Sequence, residues 1–342
     1  MPDQDKQVKL KESGVLVRLA WQGLRKMGHD ADEVLRRSGI STDKLYDTEL
    51  RTDFSAQPLF WQAAEQVSGD KDIGLHLGEY LPVYKGQILE YLFLSSPTFY
   101  DGLKRAINYQ RLISDALQLK LVDTGKDLYV SNTFADPDSA GRHLTECLVQ
   151  GLIKLLQHVT DGAFQPKEVG FRHDQSLPAE EYQRAFGCPV SFNQEEFRLY
   201  FDRSMLEHRS LHAQPELLKV HEQVANEHLA KLAHSDFVQQ ASRQIGALLE
   251  NGEVTLEAVA DRMDISVRQL RHQLEQGGSS FQKEVNRYRH RLAKRLLGKT
   301  DESISEIVYL TGFSEPSTFY RAFKRWEGIT PIEYRKQQQV EN

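Results

Sequence analysis

Basic side chains are concentrated in one stretch of the C-terminal third, residues 281–299. This stretch holds seven Lys and Arg residues and a single acid, Glu284. Cations at such density bind phosphate groups when they share one face of a helix, although an ordinary solvated helix surface has the same composition. We predict that Lys294 and Arg295 contact phosphate, and the flanking residues must decide between the two interpretations.

Two further groups of side chains have the chemistry to read base edges in double-stranded DNA. Arginine donates two parallel hydrogen bonds to guanine O6 and N7, so Arg268 and Arg271 are the strongest candidates, with Gln269 and His272 beside them. The alternative is phosphate contact without base readout. A second group of candidate residues begins with a proline. Because the proline nitrogen cannot donate a hydrogen bond, this group is expected to discriminate fewer bases than the first. Its members are Pro316, Ser317, Tyr320, Arg321 and Lys324.

Helix-start signals predict where these residues lie. In a capping box, a serine and a Gln or Glu three residues later satisfy free amides at a helix start. Proline is also tolerated in a first helical turn, which fits Pro316. The boxes are Ser266 with Gln269, Ser303 with Glu306, and Ser279 with Gln282.

These starts delimit two copies of one plan, a short helix, a tight turn and a second helix. The copies cover residues 256–276, with Asp264 in the turn, and 304–326, with Gly312 where positive φ costs glycine little. Such a unit places its second helix in a DNA major groove. The helix 281–298 between them is about 27 Å long, close to the roughly 34 Å between successive major grooves. We predict two recognition helices in neighbouring grooves.

The composition of the whole chain bounds its class. A length of 342 residues predicts about two domains. The net charge is −6, yet residues 236–336 hold 16 basic and 14 acidic side chains. Two cysteines, Cys147 and Cys188, exclude a disulfide framework and a zinc–thiolate cluster. With neither a signal peptide nor a membrane span, we expect a cytoplasmic protein.

The N-terminal half mixes helical and strand patterns. Apolar spacing predicts helices in the first 50 residues and at 59–67, 97–119 and 143–159. Alternation on both sides of residues 123–127 predicts a β-hairpin, and further short strands are expected at 168–173, 190–192 and 197–201. A polar helix at 215–232 is suited to a connector or an oligomer contact.

The C-terminal hundred residues resemble the AraC/XylS family of bacterial transcription regulators. Ser266, Arg268, Leu270 and Leu274 are similar to the first helix-turn-helix of that family. The family's C-terminal signature is matched by Ile304-Ser305-Glu306-Ile307, Gly312-Phe313-Ser314, Phe319, Arg321, Phe323-Lys324, Gly328, Pro331 and Tyr334-Arg335. The resemblance implies a sequence-specific regulator that binds a double-stranded DNA operator, with RNA polymerase as a partner if it activates transcription.

The N-terminal half resembles the arabinose-binding-like sensor domain of the longer members of this family. The similar segments are Gly74-Leu75-His76-Leu77-Gly78, Leu94-Ser95-Ser96-Pro97-Thr98, Tyr109-Gln110-Arg111-Leu112 and Phe186-Gly187-Cys188-Pro189-Val190. This resemblance implies a small-molecule effector or a homodimer contact, and it does not establish sugar binding.

The predicted fold is therefore an α+β N-terminal sensor domain with a small antiparallel sheet, followed by an all-α C-terminal domain. In the latter, two helix-turn-helix motifs are joined by a spacer helix. The predicted boundaries are 1–206 for ligand sensing or dimerisation, 207–235 for a helical connector, 236–336 for DNA binding and 337–342 for a tail.

Three cations in the N-terminal half are candidates for effector binding: His76, Arg111 and Arg172. A buried cation needs a partner, either a carboxylate of the protein or an anionic group of a ligand. The second case predicts an effector with a carboxylate on an apolar body. The first, a structural ion pair with one of the many acids here, is the favoured alternative.

No catalytic motif is found in the sequence, neither a glycine-rich phosphate loop nor a Gly-x-Ser-x-Gly or His-Glu-x-x-His segment. We therefore predict no enzymatic activity, no cofactor and no metal site. Two alternatives stay open. One is a constitutive DNA-binding protein whose N-terminal domain only oligomerises. The other, disfavoured one is a DNA-repair methyl acceptor fused to such a DNA-binding domain, which would need a clustered zinc–thiolate site that two distant cysteines cannot supply.

Overall fold

The computed structural model describes residues 9–249 and 254–341. They fold as two compact units, Met1–Leu229 and Ala230–Asn342. The division falls inside the predicted connector, 207–235, within one continuous helix, α10 (Pro215–Leu249). Among the described residues, no helix combines the length and the apolar character that crossing a bilayer requires.

The first unit is mixed α and β. Its helices before α10 are α1 (Gly14–Lys26), α2 (Ala31–Arg37), α3 (Gln57–Ser68), α4 (Ile73–Tyr80), α5 (Ile88–Leu94), α6 (Phe99–Asn108), α7 (Pro137–Ala140), α8 (Arg142–Val159) and α9 (Ala179–Phe186). Its strands are β1 (Lys11–Ser13), β2 (Arg51–Asp53), β3 (Leu117–Asp123), β4 (Leu128–Phe134), β5 (Pro166–Gly170), β6 (Val190–Ser191) and β7 (Phe197–Phe201).

The strands form two sheets. β1 and β2 pair alone, and the larger sheet has the order β3-β4-β7-β5-β6. Its pairs are antiparallel except β5–β6, which is parallel. The predicted hairpin is confirmed, with Asp123 opposite Leu128 and Leu117 opposite Phe134.

The predicted helix at 97–119 is wrong in its second half. α6 ends at Asn108, a short 3-10 turn covers Gln110–Leu112, and β3 begins at Leu117. The apolar residues after position 112 alternate along β3 against the sheet, so pairing with β4 prevails over helix propensity. The pairing of β1 with β2 likewise places Glu12 opposite Thr52, which the helical spacing of the first 50 residues did not predict.

Helix α8 forms the centre of the first unit. Ile153 and Leu156 pack in the cluster against the sheet, while Leu144 and Cys147 pack in a second cluster with α1, α2 and α3. A side-chain carbon at Gly74 of α4 would lie 2.2 Å from the Cα of His143. Only glycine permits this approach of two helix backbones.

Every secondary-structure element in the described part of the second unit is a helix. After α10 come α11 (Leu256–Arg262), α12 (Val267–Gln276), α13 (Phe281–Lys299), α14 (Ile304–Leu310), α15 (Pro316–Glu327) and α16 (Pro331–Glu341). Helix α16 continues through residues 337–341, which were predicted as a tail.

The predicted capping boxes at Ser266 and Ser303 are confirmed, each with both reciprocal hydrogen bonds. The third is shifted by one residue. The α13 N-cap is Ser280, whose hydroxyl accepts from the Lys283 amide at 3.3 Å. Ser279 is buried and its hydroxyl donates to the Glu284 carboxylate instead.

Candidate nucleic-acid interface

Helices α11 and α12 form the first helix-turn-helix. Asp264 takes a positive φ of 54° in the turn, and the Ile265 amide donates to the Ala260 carbonyl at 3.1 Å. Leu270 and Leu274 are fully buried in the core of this motif. Their burial fixes the rotation of α12 about its axis and turns the opposite face to solvent.

The exposed face of α12 carries the four predicted base-reading residues: Arg268, Gln269, Arg271 and His272. Two of them are engaged locally. The Gln269 side chain accepts from the Ser266 amide at 2.9 Å, and His272 Nε2 lies 2.9 Å from the Gln276 amide nitrogen. The side chains of Arg268 and Arg271 make no hydrogen bond or ion pair with any residue that the structure describes, so both guanidinium groups are available.

Helices α14 and α15 repeat the plan. Gly312 has φ of 70° in the turn, and Phe319 and Phe323 are fully buried, as predicted for the motif's core. Ser317, Arg321 and Lys324 follow at four- and three-residue spacing and are all exposed, so they share one outward face.

The other two predicted residues of α15 are placed differently. Pro316 is exposed in the first turn of the helix. Tyr320 is only partly exposed and packs edge-on against Phe319, with ring centroids 6.1 Å apart. Part of its ring area is therefore committed to the core.

The spacer helix α13 contacts the cores of both motifs. Val285 packs with Leu270 and Leu274, while Ala293 and Leu297 pack with Phe323. Between them, Arg289 donates to the Gly312 carbonyl at 2.8 Å, and its guanidinium lies 4.8 Å from the centre of the Phe313 ring. Burial lowers the pKa of Arg289.

Arg289 thus connects α13 to the turn of the second motif, whereas the sequence analysis treated it only as one of the seven basic residues. The spacing of the sequence could have indicated this structural role. Arg289 lies four residues after Val285 and four before Ala293, within the stripe that faces the two cores.

The remaining cations of α13 divide into paired and unpaired side chains. Lys294 forms an ion pair with Glu327 at 3.0 Å and lies 5.4 Å from the Tyr334 ring centre, so the carboxylate of Glu327 raises its pKa. Arg295, Lys283 and Lys299 are exposed, and none has an ion pair within residues 9–249 and 254–341. The two predicted phosphate ligands therefore differ, because Lys294 has an intramolecular partner and Arg295 has none.

The chain matches two known protein families in the order of its two units. Residues 28–210 match the family described as the arabinose-binding domain of AraC transcription regulator, N-terminal, and residues 259–337 match a helix-turn-helix domain. The first match alone covers more than half of the chain. The chain belongs to the AraC family of transcription regulators. It is a DNA-binding regulator, consistent with the exposed arginines of α12.

Relatives of this AraC-family chain include two bacterial regulators. It is 29% identical over 275 residues to the ornithine utilization regulator of Pseudomonas aeruginosa, covering 80% of this chain and 81% of that protein. It is 25% identical over 321 residues to the regulator VirS of Mycobacterium tuberculosis, covering 91% and 92%. The crystal structure of the regulator CdpR from Pseudomonas aeruginosa aligns with 93% of this chain and 98% of its own, at 17% identity and a TM-score of 0.43.

The three cations predicted to bind an effector lie on different elements of the first unit. His76 on α4 lies 2.6 Å from the Asp70 carboxylate, and Arg111 pairs with Asp115 at 3.0 Å. Arg172 follows β5 and is exposed, so the assumption of a buried cation does not hold for it. His76 and Arg111 have the carboxylate partners that the alternative of a structural ion pair expects.

A cavity of about 160 Å³ lies elsewhere in the same unit. It is bounded by α1, α3, α8, the segment from Leu81 to Tyr84 and the inner face of β3, β4 and β7. None of His76, Arg111 and Arg172 lines it. No local pattern in the sequence indicates this cavity, because its walls come from segments as far apart in the chain as Leu16 and Phe197.

A buried hydrogen-bond chain adjoins the cavity. Glu12 is 2% exposed and accepts from the Gln57 side-chain amide, whose oxygen accepts from the Trp61 indole at 2.8 Å. Burial raises the pKa of Glu12 from its ordinary 4.5 to about 7. The same cause raises the pKa of Glu146 on α8 to about 7, opposed by Arg142 and by a hydrogen bond from Tyr182. Both carboxyls are therefore largely protonated below neutral pH.

Proposed function

We propose that this regulator reads its operator mainly through Arg268 and Arg271 and responds to a small-molecule effector bound in its N-terminal unit. The single observation that carries the base-reading part is the exposure of two unpaired guanidinium groups on α12, a helix whose Leu270 and Leu274 are buried in the motif core. Guanine is the base that matches an arginine fork, so G·C pairs are expected at these positions.

The second recognition helix contributes less base discrimination. Ser317, Arg321 and Lys324 form its outward face, but Pro316 lacks a donor and Tyr320 is half committed to the core. We assign Arg321 the largest share of base contact in this helix and Lys324 a phosphate contact.

The spacing of the two motifs favours two consecutive major grooves. Helix α13 has 19 residues, or about 28 Å at 1.5 Å per residue, and it packs into both motif cores. Successive grooves on one face of DNA lie about 34 Å apart. A spacer that is held at both ends keeps the two recognition helices in a constant relation.

Effector response is supported by the cavity in the first unit and by the match of residues 28–210 to an arabinose-binding domain. The resemblance to the family also supports a homodimer, a cytoplasmic location and, for an activator, contact with RNA polymerase. A constitutive DNA-binding protein is the rival outcome, in which no ligand alters DNA binding.

Selection from a random double-stranded DNA library tests the reading of DNA. The full chain should enrich one motif with two conserved blocks about 10 base pairs apart, the first richer in G·C and more strongly conserved. Hydroxyl-radical footprinting of the enriched site should protect one face of the duplex. Enrichment of no motif, or of a single block that Arg268→Ala leaves unchanged, contradicts the proposal.

The exposed cation Arg295 is expected to bind phosphate and Lys294 is not. Arg295→Ala should weaken binding to every DNA sequence alike. It should also reduce the slope of the logarithm of the binding constant against the logarithm of salt concentration by about one, because one phosphate contact is lost. Lys294→Ala should change the slope less, since its ammonium is already paired with Glu327. Fluorescence anisotropy across a salt series measures both slopes.

Lys126→Ala is the control for that experiment, because this exposed lysine lies in the β3–β4 loop of the other unit. A salt slope that falls equally for Lys294 and Arg295 would mean that DNA breaks the Lys294–Glu327 pair. An unchanged slope for Arg295→Ala removes that residue from the interface.

A further inference from the structure

The cavity of the first unit has the size of a small aromatic molecule. Its volume is about 160 Å³, and a buried apolar cavity of roughly 150 Å³ is large enough to bind benzene. The walls are almost entirely aliphatic and aromatic side chains, such as Leu16, Phe60, Leu148 and Leu152. A ligand in this cavity therefore needs a compact apolar body.

The cavity holds no group that could neutralise a charged ligand. Among the described residues that line it, none is Lys, Arg, His, Asp or Glu. Burial raises the pKa of the lining Cys147 thiol to about 12, so this group is neutral as well. The nearby carboxyl of Glu12, bonded to the lining Gln57, would repel an anion whenever it is ionised. An anionic group would meet no cation among these lining residues, so the lining favours a neutral effector over an anionic one.

Most polar groups in the lining already have partners. Both ends of the Gln57 side-chain amide are used, by Glu12 and by Trp61. The Thr145 hydroxyl donates to the Gly141 carbonyl at 2.9 Å within its own helix. These groups need nothing from a ligand.

Asn132 is different. It is 5% exposed and lies on the sheet face between Leu119 and Phe197, its neighbours across β3 and β7. Its side-chain oxygen accepts from the Gln118 amide at 2.9 Å, which orients the side chain because a backbone N–H can only donate. Its NH₂ group makes no hydrogen bond with any residue in the described ranges. Because Asn132 lines the cavity, this NH₂ group can donate a hydrogen bond to a ligand or a water there.

Tyr84 supplies a second donor on the cavity wall. Its hydroxyl has no hydrogen bond within the described residues, and burial raises its pKa, so the proton stays on the oxygen. Two donors, with no cation among the described lining residues, suit a neutral oxygen acceptor.

We infer that the cavity binds a small neutral molecule with an aromatic or short aliphatic body and one carbonyl or ether oxygen, held by the side-chain amide of Asn132 and the hydroxyl of Tyr84. This inference rests on the proposed effector response, since it names the chemical class of that effector. It differs from the carboxylate-bearing effector that was one of the two sequence-based alternatives for the N-terminal cations.

Three probes of similar size test the class: acetophenone with a neutral carbonyl, ethylbenzene without an acceptor, and benzoate with a charge. Binding to the full chain is measured by isothermal titration calorimetry at neutral pH, without DNA. Acetophenone should bind with one site, ethylbenzene more weakly, and benzoate at least about tenfold more weakly than acetophenone. Equal or tighter binding of benzoate, or no binding by any probe, overturns the inference.

Substitutions at Gly151 identify the site. Gly151 lines the cavity in the middle of α8, and an added side-chain carbon would meet only Leu81 at 3.5 Å, an ordinary contact. Gly151→Leu should fill the cavity and abolish acetophenone binding, whereas the matched control Gly151→Ala should retain it. Binding that survives in Gly151→Leu assigns the probe to another site and overturns the inference.

The donor roles need variants that change hydrogen bonding. Tyr84→Phe keeps the ring and should weaken the binding of acetophenone severalfold while leaving the binding of ethylbenzene unchanged. Asn132→Ala should do the same, and if it fails to fold, Tyr84→Phe together with the preference for acetophenone over ethylbenzene decides. An equal loss of affinity for acetophenone and ethylbenzene would mean that these side chains contribute only to the shape of the cavity. That result overturns their assignment as hydrogen-bond donors to the ligand.

A separate measurement distinguishes the ligand class from the effector response. Operator affinity is compared with and without acetophenone, for Gly151→Ala and Gly151→Leu. Acetophenone binding without any change in DNA affinity supports the ligand class and contradicts the effector response. A charged metabolite that alters DNA affinity while the three probes behave alike supports the effector response and overturns the ligand class.

Discussion

Replacing Arg268 or Arg271 by alanine lowers the affinity for the selected operator by about 1–3 kcal/mol, roughly 5- to 150-fold, and relaxes the preference at one base position. The reason is geometric. Both guanidinium groups stand on the exposed face of α12, while Leu270 and Leu274 hold that helix against its core. Neither arginine stabilises the folded unit through a described contact, so the fold should be unaffected.

Binding to operators with single-base changes measures this effect. For each variant, one position should lose its discrimination while the others keep theirs. Arg295→Ala is the comparison, because the loss of a phosphate contact weakens binding to all DNA sequences equally. A uniform loss in the Arg268 or Arg271 variants would reassign that residue to phosphate, and an unchanged affinity would remove it from the interface.

Titration of Glu12 lowers the stability of the N-terminal unit as pH rises from about 5 to 8, and Glu12→Gln removes this contribution. The folded pKa of Glu12 is about 7 against an ordinary 4.5, so the folded state keeps a proton that the unfolded chain releases between these values. This contribution is fully present below pH 4.5 and is lost as pH passes through 7. A shift of this size corresponds to about 3 kcal/mol. The glutamine of the variant mimics the protonated carboxyl at every pH.

Urea unfolding at several pH values tests this prediction. A Trp326→Phe background leaves Trp21 and Trp61 as reporters, both in the first unit. The advantage of Glu12→Gln over its parent should grow from near zero at about pH 5 to about 3 kcal/mol at about pH 8. Glu195→Gln is the matched control, because this side chain is 96% exposed. An advantage that is constant with pH contradicts titration of Glu12 in this range.

Local signals in the sequence were enough for both helix-turn-helix motifs of the second unit, although not for the extent of α16. The capping boxes at Ser266 and Ser303, the turn at Gly312 and the apolar spacing of Phe319 and Phe323 act over a few residues, and each was found in the structure. The same spacing predicted the exposed face of α12, because a helix turns by a constant angle per residue. The β3–β4 hairpin was also predictable, since its loop joins adjacent strands.

The chain's own sequence could therefore determine the helices of both helix-turn-helix motifs, the β3–β4 hairpin and the face that presents Arg268 and Arg271. Tertiary structure decided which charged side chains have partners within the protein. Arg289 donates a hydrogen bond to the Gly312 carbonyl, and Arg295 stays unpaired among the described residues. Carboxylate partners are found for three other cations: Lys294 with Glu327, His76 with Asp70 and Arg111 with Asp115. It also decided the β1–β2 pair, the parallel β5–β6 pair and the cavity around Asn132. The physical reason is that caps and helical periodicity depend on neighbours within about four residues. Ion pairs and cavities depend on side chains that only the packed fold brings together.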